Sequence, residues 1–279
     1  MQIKAELAQK FSLSIPSVER LVSGRSSLPL AFVKEIVKKW KEVCVPSEEK
    51  YQYILSLIEE KSIIKGDTNS KPVNLPKSLN PQLAYLLGAL RDGSLPAVYN
   101  NQYEVQFSQK NKEWLEKTIV PLIEKAFKIK AKVESYGNQT RRVKIYSKPI
   151  YFFIKKFFEY PERLQVTWEV PFLIRTSPLE IKRWFVRGFF DAEGEINVKQ
   201  KRIVIHHSWA GTFPVVLIQL QEMLEEFGIE SKVSGPHEEK NFPSFDLRIM
   251  RDNVRLFYEK IGTSHPEKVI KFQLLMEYS

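Results

Sequence analysis

Two carboxylates in this chain share an unusual context. Asp92 closes the run PQLAYLLGALRDG at 81–93, Glu193 closes EIKRWFVRGFFDAEG at 180–194, and glycine follows each acid at once. Each run is apolar at helical spacing and carries small residues, so each reads as a helix delivering one acid at its C-terminal end. One such acid alone is ordinarily a helix end and a turn. Two brought together would make an all-oxygen site for a divalent cation.

The elements around the two acids repeat. After the first run come two strands within 94–109, the second alternating Tyr103, Val105 and Phe107 against Glu104, Gln106 and Ser108. A helix over 111–127 follows, which Pro121 is expected to kink or break. Strands IKAKVES and RRVKIYS and a helix over 148–160 close the unit. The same order returns from 179: helix to 192, strands near 195–199 and 201–207, helix 214–227, strands IESKVSG and SFDLRIM, helix 252–261 and a last helix from Pro266. FKIKAKV at 127–133 matches FGIESKV at 227–233 with an offset of 100, and Asp92 and Glu193 are offset by 101. A shared order over a fixed period is far more specific than either acid motif.

Ahead of the repeats, Leu7, Ala8 and Phe11 mark one short helix, and Ser14 is placed to cap a second with Pro16 in its first turn and Gly24 at its end. A third runs from Leu30 to about Trp40, and a fourth over 47–64. The first pair resembles a helix-turn-helix, which makes Ser17, Glu19, Arg20 and Arg25 candidate DNA contacts; a small assembly bundle is the plainer alternative. The expected organisation is a helical domain at 1–64, a Pro- and Gly-containing linker at 65–78, and repeats at 79–171 and 172–279.

The net charge of +10 lies entirely in residues 1–171, which hold 28 basic and 18 acidic side chains, while 172–279 holds 15 of each. That excess fits a polyanionic partner. There is no apolar run of membrane-spanning length and no signal-like N-terminus, so a soluble, cytoplasmic protein is expected. Cys44 is the single cysteine, which excludes an intrachain disulfide and a Cys-based zinc site. His206 and His207 have no second ligand pair at zinc spacing and read as strand residues.

The residues VRGFFDAEG, IGTSHPEKVIKF and the repeat itself resemble the LAGLIDADG homing endonucleases in their single-chain, two-motif form, over 79–279. The resemblance implies an α+β fold of two αββαββα repeats. Their motif helices would pack on a pseudo-two-fold axis beneath a saddle of antiparallel sheets that straddles double-stranded DNA. It also implies a monomer in which Asp92 and Glu193 hold Mg²⁺ (or Mn²⁺). Gly88, Gly188 and Ala192 would let the motif helices approach. Gln109 and Lys268 match the family's accessory catalytic positions, with Arg163 as the first repeat's counterpart of Lys268. The second repeat's counterpart of Gln109 falls near His207 or Ser208.

The first motif departs from the second. Gly188 lies five residues before its acid and Gly88 only four, and Arg91 stands where the second motif has Ala192. An arginine there either contacts a phosphate or neutralises Asp92. On saddle-like sheets, strand alternation turns Glu104, Gln106, Lys130, Lys132, Arg142 and Lys144 outward in repeat one. In repeat two it turns out Asn197, Lys199, Arg202, His206, Lys232, Asp246 and Arg248. Long polar side chains there suit base and phosphate contacts. The expected activity is site-specific DNA cleavage. The alternatives are a non-cleaving DNA-binding regulator, favoured by Arg91 and the N-terminal helices, and an intron RNA maturase. Without an N-terminal Cys or Ser or a terminal His-Asn, a complete intein is not expected.

Overall fold

The computed structural model describes residues 2–11, 13–22, 35, 36, 38, 73–76, 78–96, 102–137, 139–160, 168–210, 213–238, 242–250 and 252–277. The chain divides into two units, Met1–Pro72 and Val73–Ser279.

In the first unit, α1 (Gln2–Lys10) and α2 (Ile15–Val22) enclose a small core of Leu7, Ala8 and Val18, with Phe11, Leu13 and Ile36 packed against it. The Ser14 hydroxyl accepts the Ser17 N–H at 3.3 Å, capping α2 as its residue type suggests. Ser17 spends its own hydroxyl on Ser14, 2.8 Å away. Arg25, the side chain of Arg20, the expected helix at 47–64 and most of the third helix fall outside the described residues.

The second unit holds the repeat. In its first half, α3 (Pro81–Ala89) leads through a 3₁₀ turn (Leu90–Asp92) into β1 (Gly93–Ser94) and β2 (Glu104–Gln109). Next come α4 (Lys112–Trp114), a π-turn (Leu115–Ile119) and α5 (Val120–Phe127), then β3 (Val133–Tyr136), β4 (Thr140–Tyr146) and α6 (Lys148–Phe157). The expected interruption at Pro121 takes the form of the π-turn just before it: regular α-helix resumes at Val120, with Pro121 in the first turn of α5, where a missing N–H is tolerated. After α7 (Phe172–Arg175), the second half runs α8 (Leu179–Glu193), β5 (Gly194–Asn197), β6 (Arg202–Ser208) and α9 (Val215–Glu225). It ends with β7 (Lys232–His237), β8 (Ser244–Met250), α10 (Asp252–Lys260) and α11 (Pro266–Glu277). Val73 is buried and the Asn74 N–H bonds to the Phe127 carbonyl at 3.0 Å, so the end of the expected linker is part of this unit.

The two sheets are antiparallel and share one topology, β1-β2-β4-β3 and β5-β6-β8-β7. Their registers also match. Gly93 pairs with Phe107 and Phe107 with Val143, as Gly194 pairs with Ile205 and Ile205 with Leu247. One face of each sheet supplies core residues, Val105, Phe107, Val143 and Ile145 in the first and Ile203, Ile205, Leu247 and Ile249 in the second.

Between the halves lie α3 and α8. Asn80 caps α3, its Oδ1 accepting the Leu83 N–H at 2.9 Å, and Pro81 opens its first turn. Every residue from Leu83 to Leu90 is buried, as suits a helix that is apolar all round. The two helices touch through backbone. A Cβ on Gly88 would lie 2.2 Å from the Phe185 carbonyl oxygen, and one on Gly188 would lie 2.1 Å from that of Tyr85. No side chain fits at either crossing point; Ala192 is half-buried.

The mismatch between the motifs is compensated in the backbone. At ideal rises, one α-helical step of about 1.5 Å and three 3₁₀ steps of about 2.0 Å would carry Asp92 ~7.5 Å beyond Gly88, as five α-helical steps would carry Glu193 beyond Gly188. Gly188→Ala is expected to destabilise the second unit by about 2–3 kcal/mol or more in urea unfolding, because backbone rather than a yielding side chain blocks the methyl. Glu180→Ala, exposed in the first turn of the same helix, is expected to stay within about 0.5 kcal/mol of the parent.

A paired-carboxylate candidate active site

Asp92 and Glu193 meet where α3 and α8 end. The Gln109 side-chain amide, at the end of β2, donates to Asp92 Oδ2 at 2.6 Å. Glu193 Oε1 lies 3.9 Å from Nε of Arg91, whose Nη2 is 2.7 Å from His207 Nδ1. Register settles the second repeat's counterpart of Gln109. Since Phe107 corresponds to Ile205, Gln109 corresponds to His207 and not Ser208. The halves are therefore unequal, because Gln109 serves the acid of its own repeat whereas His207 holds an arginine from the other.

The electrostatics follow from crowding. Burial and then the neighbouring Glu193 carboxylate push Asp92 up to about 8, against the pull of Lys268 and Arg91. Burial also raises Glu193, opposed by Arg91, Lys268 and His206. Burial, followed by the Arg91 charge, drives His207 down to about 3, so it is a neutral acceptor for Arg91.

Lys268 is buried, and its ammonium donates to the carbonyls of Phe190 at 2.6 Å and Asp191 at 2.8 Å. It thereby caps the end of α8 beside Glu193. Burial lowers it to about 8, although Asp191, Glu193 and Asp92 all favour its charge. Arg163 lies outside the described residues.

Sequence reasoning missed Asp191. It is fully buried and accepts from the Tyr85 hydroxyl at 2.6 Å, the Ser264 N–H at 2.8 Å and the Thr263 hydroxyl. Trp114 Nε1 in turn donates to the Tyr85 hydroxyl at 2.8 Å. This chain ties α3, α4 and α8 to the loop before α11. An acid inside an apolar run was the available signal, but the first motif has Leu90 at the matching position, so the repeat did not flag it.

On the outward faces, Gln106 pairs with Lys144 and Ser108 with Arg142 in the first sheet. In the second, His206 pairs with Asp246, and Arg248 stands beside Lys232. Arg202 is outward on β6, opposite Met250. Two expectations change: Lys130 and Lys132 precede β3 rather than lying in it, and Lys199 belongs to the β5–β6 turn. Asn197 ends β5 opposite Arg202, and its Oδ1 accepts the Gln200 N–H at 2.9 Å. Glu104 is outward but buried, 2.8 Å from the Lys144 ammonium.

Among the described residues no group of three or more His, Cys, Asp and Glu converges as a metal site. Two mutually repelling carboxylates fit a hard cation that keeps water and phosphate oxygens as its remaining ligands, and suit neither a closed cage nor zinc.

A family model for a LAGLIDADG-like domain matches residues 180–262. The chain is 31% identical over 198 residues to homing endonuclease I-ApeI of Aeropyrum pernix, covering 70% of this chain and 86% of that relative. It is also 27% identical to the tRNA-splicing ligase RtcB of Pyrococcus furiosus, over 84% of this chain but only 27% of RtcB. The crystal structure of I-DmoI in complex with DNA and Mn superposes with a TM-score of 0.51 at 21% identity, over 67% of this chain and 99% of that one. The chain belongs to the LAGLIDADG homing endonuclease family. No helix among the described residues is long and apolar enough to cross a membrane.

The raised acid has a consequence for stability. Between about pH 4 and 8 the folded chain keeps an Asp92 proton that the unfolded chain has released, so this group's contribution falls steadily from about pH 4, is fully lost once pH passes about 8, and is constant above it. Asp92→Asn should therefore stabilise the protein by on the order of a few kcal/mol near pH 9 and by almost nothing near pH 4. Calorimetric melting across that range measures the crossover.

Proposed function

We propose that this protein is a site-specific, divalent-metal-dependent double-stranded DNA endonuclease of the homing type. The observation that carries the reading is that Asp92 and Glu193 come close enough to repel at the ends of two helices in backbone contact, each leading directly into one of two sheets of identical topology. The named relative I-ApeI is a homing endonuclease, and I-DmoI was crystallised with DNA and Mn. Asp92 and Glu193 would hold Mg²⁺ or Mn²⁺. When bound, the ion would activate water and stabilise charge on phosphate oxygens.

The chain's own groups do the rest. Gln109 orients Asp92, and Lys268 anchors the α8 terminus that carries Glu193. Arg91 adds positive charge at the junction of the two half-sites, where both scissile phosphates would lie. The outward residues Gln106, Arg142, Lys144, Arg202, His206, Lys232 and Arg248 would face the major groove, with Lys130, Lys132, Asn197 and Lys199 at the sheet margins. The helices of Met1–Pro72 would add contacts through Ser17, Arg20 and Arg25, the repeats dividing near 171 in a monomer.

Incubation with Mg²⁺ or Mn²⁺ and fragments of the gene's own locus should yield defined double-strand ends. Asp92→Asn or Glu193→Gln should slow cleavage by about 10²–10³-fold or more. Binding in EDTA should change by less than about threefold, or ~0.7 kcal/mol. Full cleavage by either variant would refute the assignment. Affinity should drop by about 10³-fold or more between roughly 50 and 200 mM salt if six or more phosphates are contacted. The ion contact of Arg91 with Glu193 favours one second reading, a DNA-binding regulator. Binding in EDTA with no cutting under either metal would select it.

A further inference from the structure

The outward face of the second sheet carries an arginine fixed in advance. Asp246, with a side chain 7% exposed, accepts from Arg248 Nη2 at 2.6 Å and Nε at 3.2 Å. His206 Nδ1 lies 2.6 Å from the other carboxylate oxygen, and His237 Nε2 lies 3.3 Å from Oδ2. Burial would raise Asp246, but the bonds from Arg248 and His206 outweigh it and hold the acid below the ordinary carboxylate range. The carboxylate takes the Nε–Nη2 edge of the guanidinium. It leaves the Nη1–Nη2 end, the pair of donors that matches O6 and N7 of guanine in the major groove. The Arg248 side chain is 35% exposed, against 7% for the acid that holds it.

The matched registers identify its counterpart. Val143 corresponds to Leu247, so Lys144 corresponds to Arg248. Both are long cations tied to a buried acid, yet they differ in what they present. Lys144 gives its ammonium to Glu104 at 2.8 Å, its side chain is only 14% exposed, and its head lies 5.6 Å from the Tyr146 ring centroid. A covered point charge discriminates bases poorly compared with an open, planar fork.

We propose that Arg248, held by Asp246, selects a guanine in one half of the target, while the symmetry-related position facing Lys144 is read weakly. The DNA target is then asymmetric at a place where the fold is symmetric. This rests on the DNA-binding reading above and assigns its specificity.

The test is selection of a randomised duplex library by the full-length protein in EDTA, followed by sequencing of the bound fraction. The parent should prefer guanine at one position by about 10- to 100-fold. Arg248→Ala should erase that preference and leave others intact. Arg248→Lys, which keeps charge and volume, should erase it with the overall salt dependence retained. Asp246→Asn should weaken the same preference and create none elsewhere, and Lys144→Ala should remove no guanine preference. A guanine preference that survives Arg248→Lys, or a mirror-image guanine lost in Lys144→Ala, overturns the proposal. Failure of the parent to enrich any duplex overturns the DNA-recognition reading itself.

Discussion

Backbone contact between α3 and α8 is the constraint from which the rest of the second unit follows. At Gly88 and Gly188 each helix lies against main-chain atoms of the other, which leaves no room for a methyl group. Packing at that distance fixes the relative rotation and height of two helix ends. Those ends are where the acids sit, and the strands leaving them, β1 and β5, start the two sheets in matched register. Glycine in a helix interior costs about 1 kcal/mol against alanine, so its presence at both crossing points marks a requirement for proximity. The Trp114–Tyr85–Asp191 chain and the Lys268 cap then hold the helix ends against the repulsion of the acids they carry.

That repulsion is the second theme. A fold designed for stability alone would not gather two desolvated carboxylates, and the strain appears as an Asp92 raised to about 8. Stability is surrendered at the place where a cation would recover it, the usual exchange at functional sites. Arg91 and Lys268, one from each repeat, offset part of the cost. Their partners differ, one facing His207 and the other backbone carbonyls, so a symmetric fold encloses an electrostatically asymmetric centre.

Much of this was legible before any coordinates. The repeat offset, the acids at helix ends and the strand alternation depend on local periodicity, which sequence records directly; Gln109 bonds to Asp92, and Lys268 to the carbonyls just before Glu193. What was not legible depends on tertiary context. The out-of-phase glycine looked like a defect because helix type at a terminus cannot be read from LRDG, and a 3₁₀ turn removes the discrepancy. Asp191 is not singled out by the sequence because its burial is a property of the packed pair of helices. The choice of His207 over Ser208 needed strand register, which one residue of slip would have reversed. The interruption expected at Pro121 is present, but its form, a π-turn ahead of the proline, is set by packing and cannot be read from the sequence.

The central claim is that Asp92 and Glu193 form one metal-dependent centre, and the most direct measurement is anomalous diffraction from crystals of the protein containing Mn²⁺ and bound DNA. The expected map has its manganese peak at the junction of α3 and α8, within coordination distance of both carboxylates. A peak elsewhere, such as at the His206–Asp246–His237 cluster, or no peak between the two acids, would contradict it.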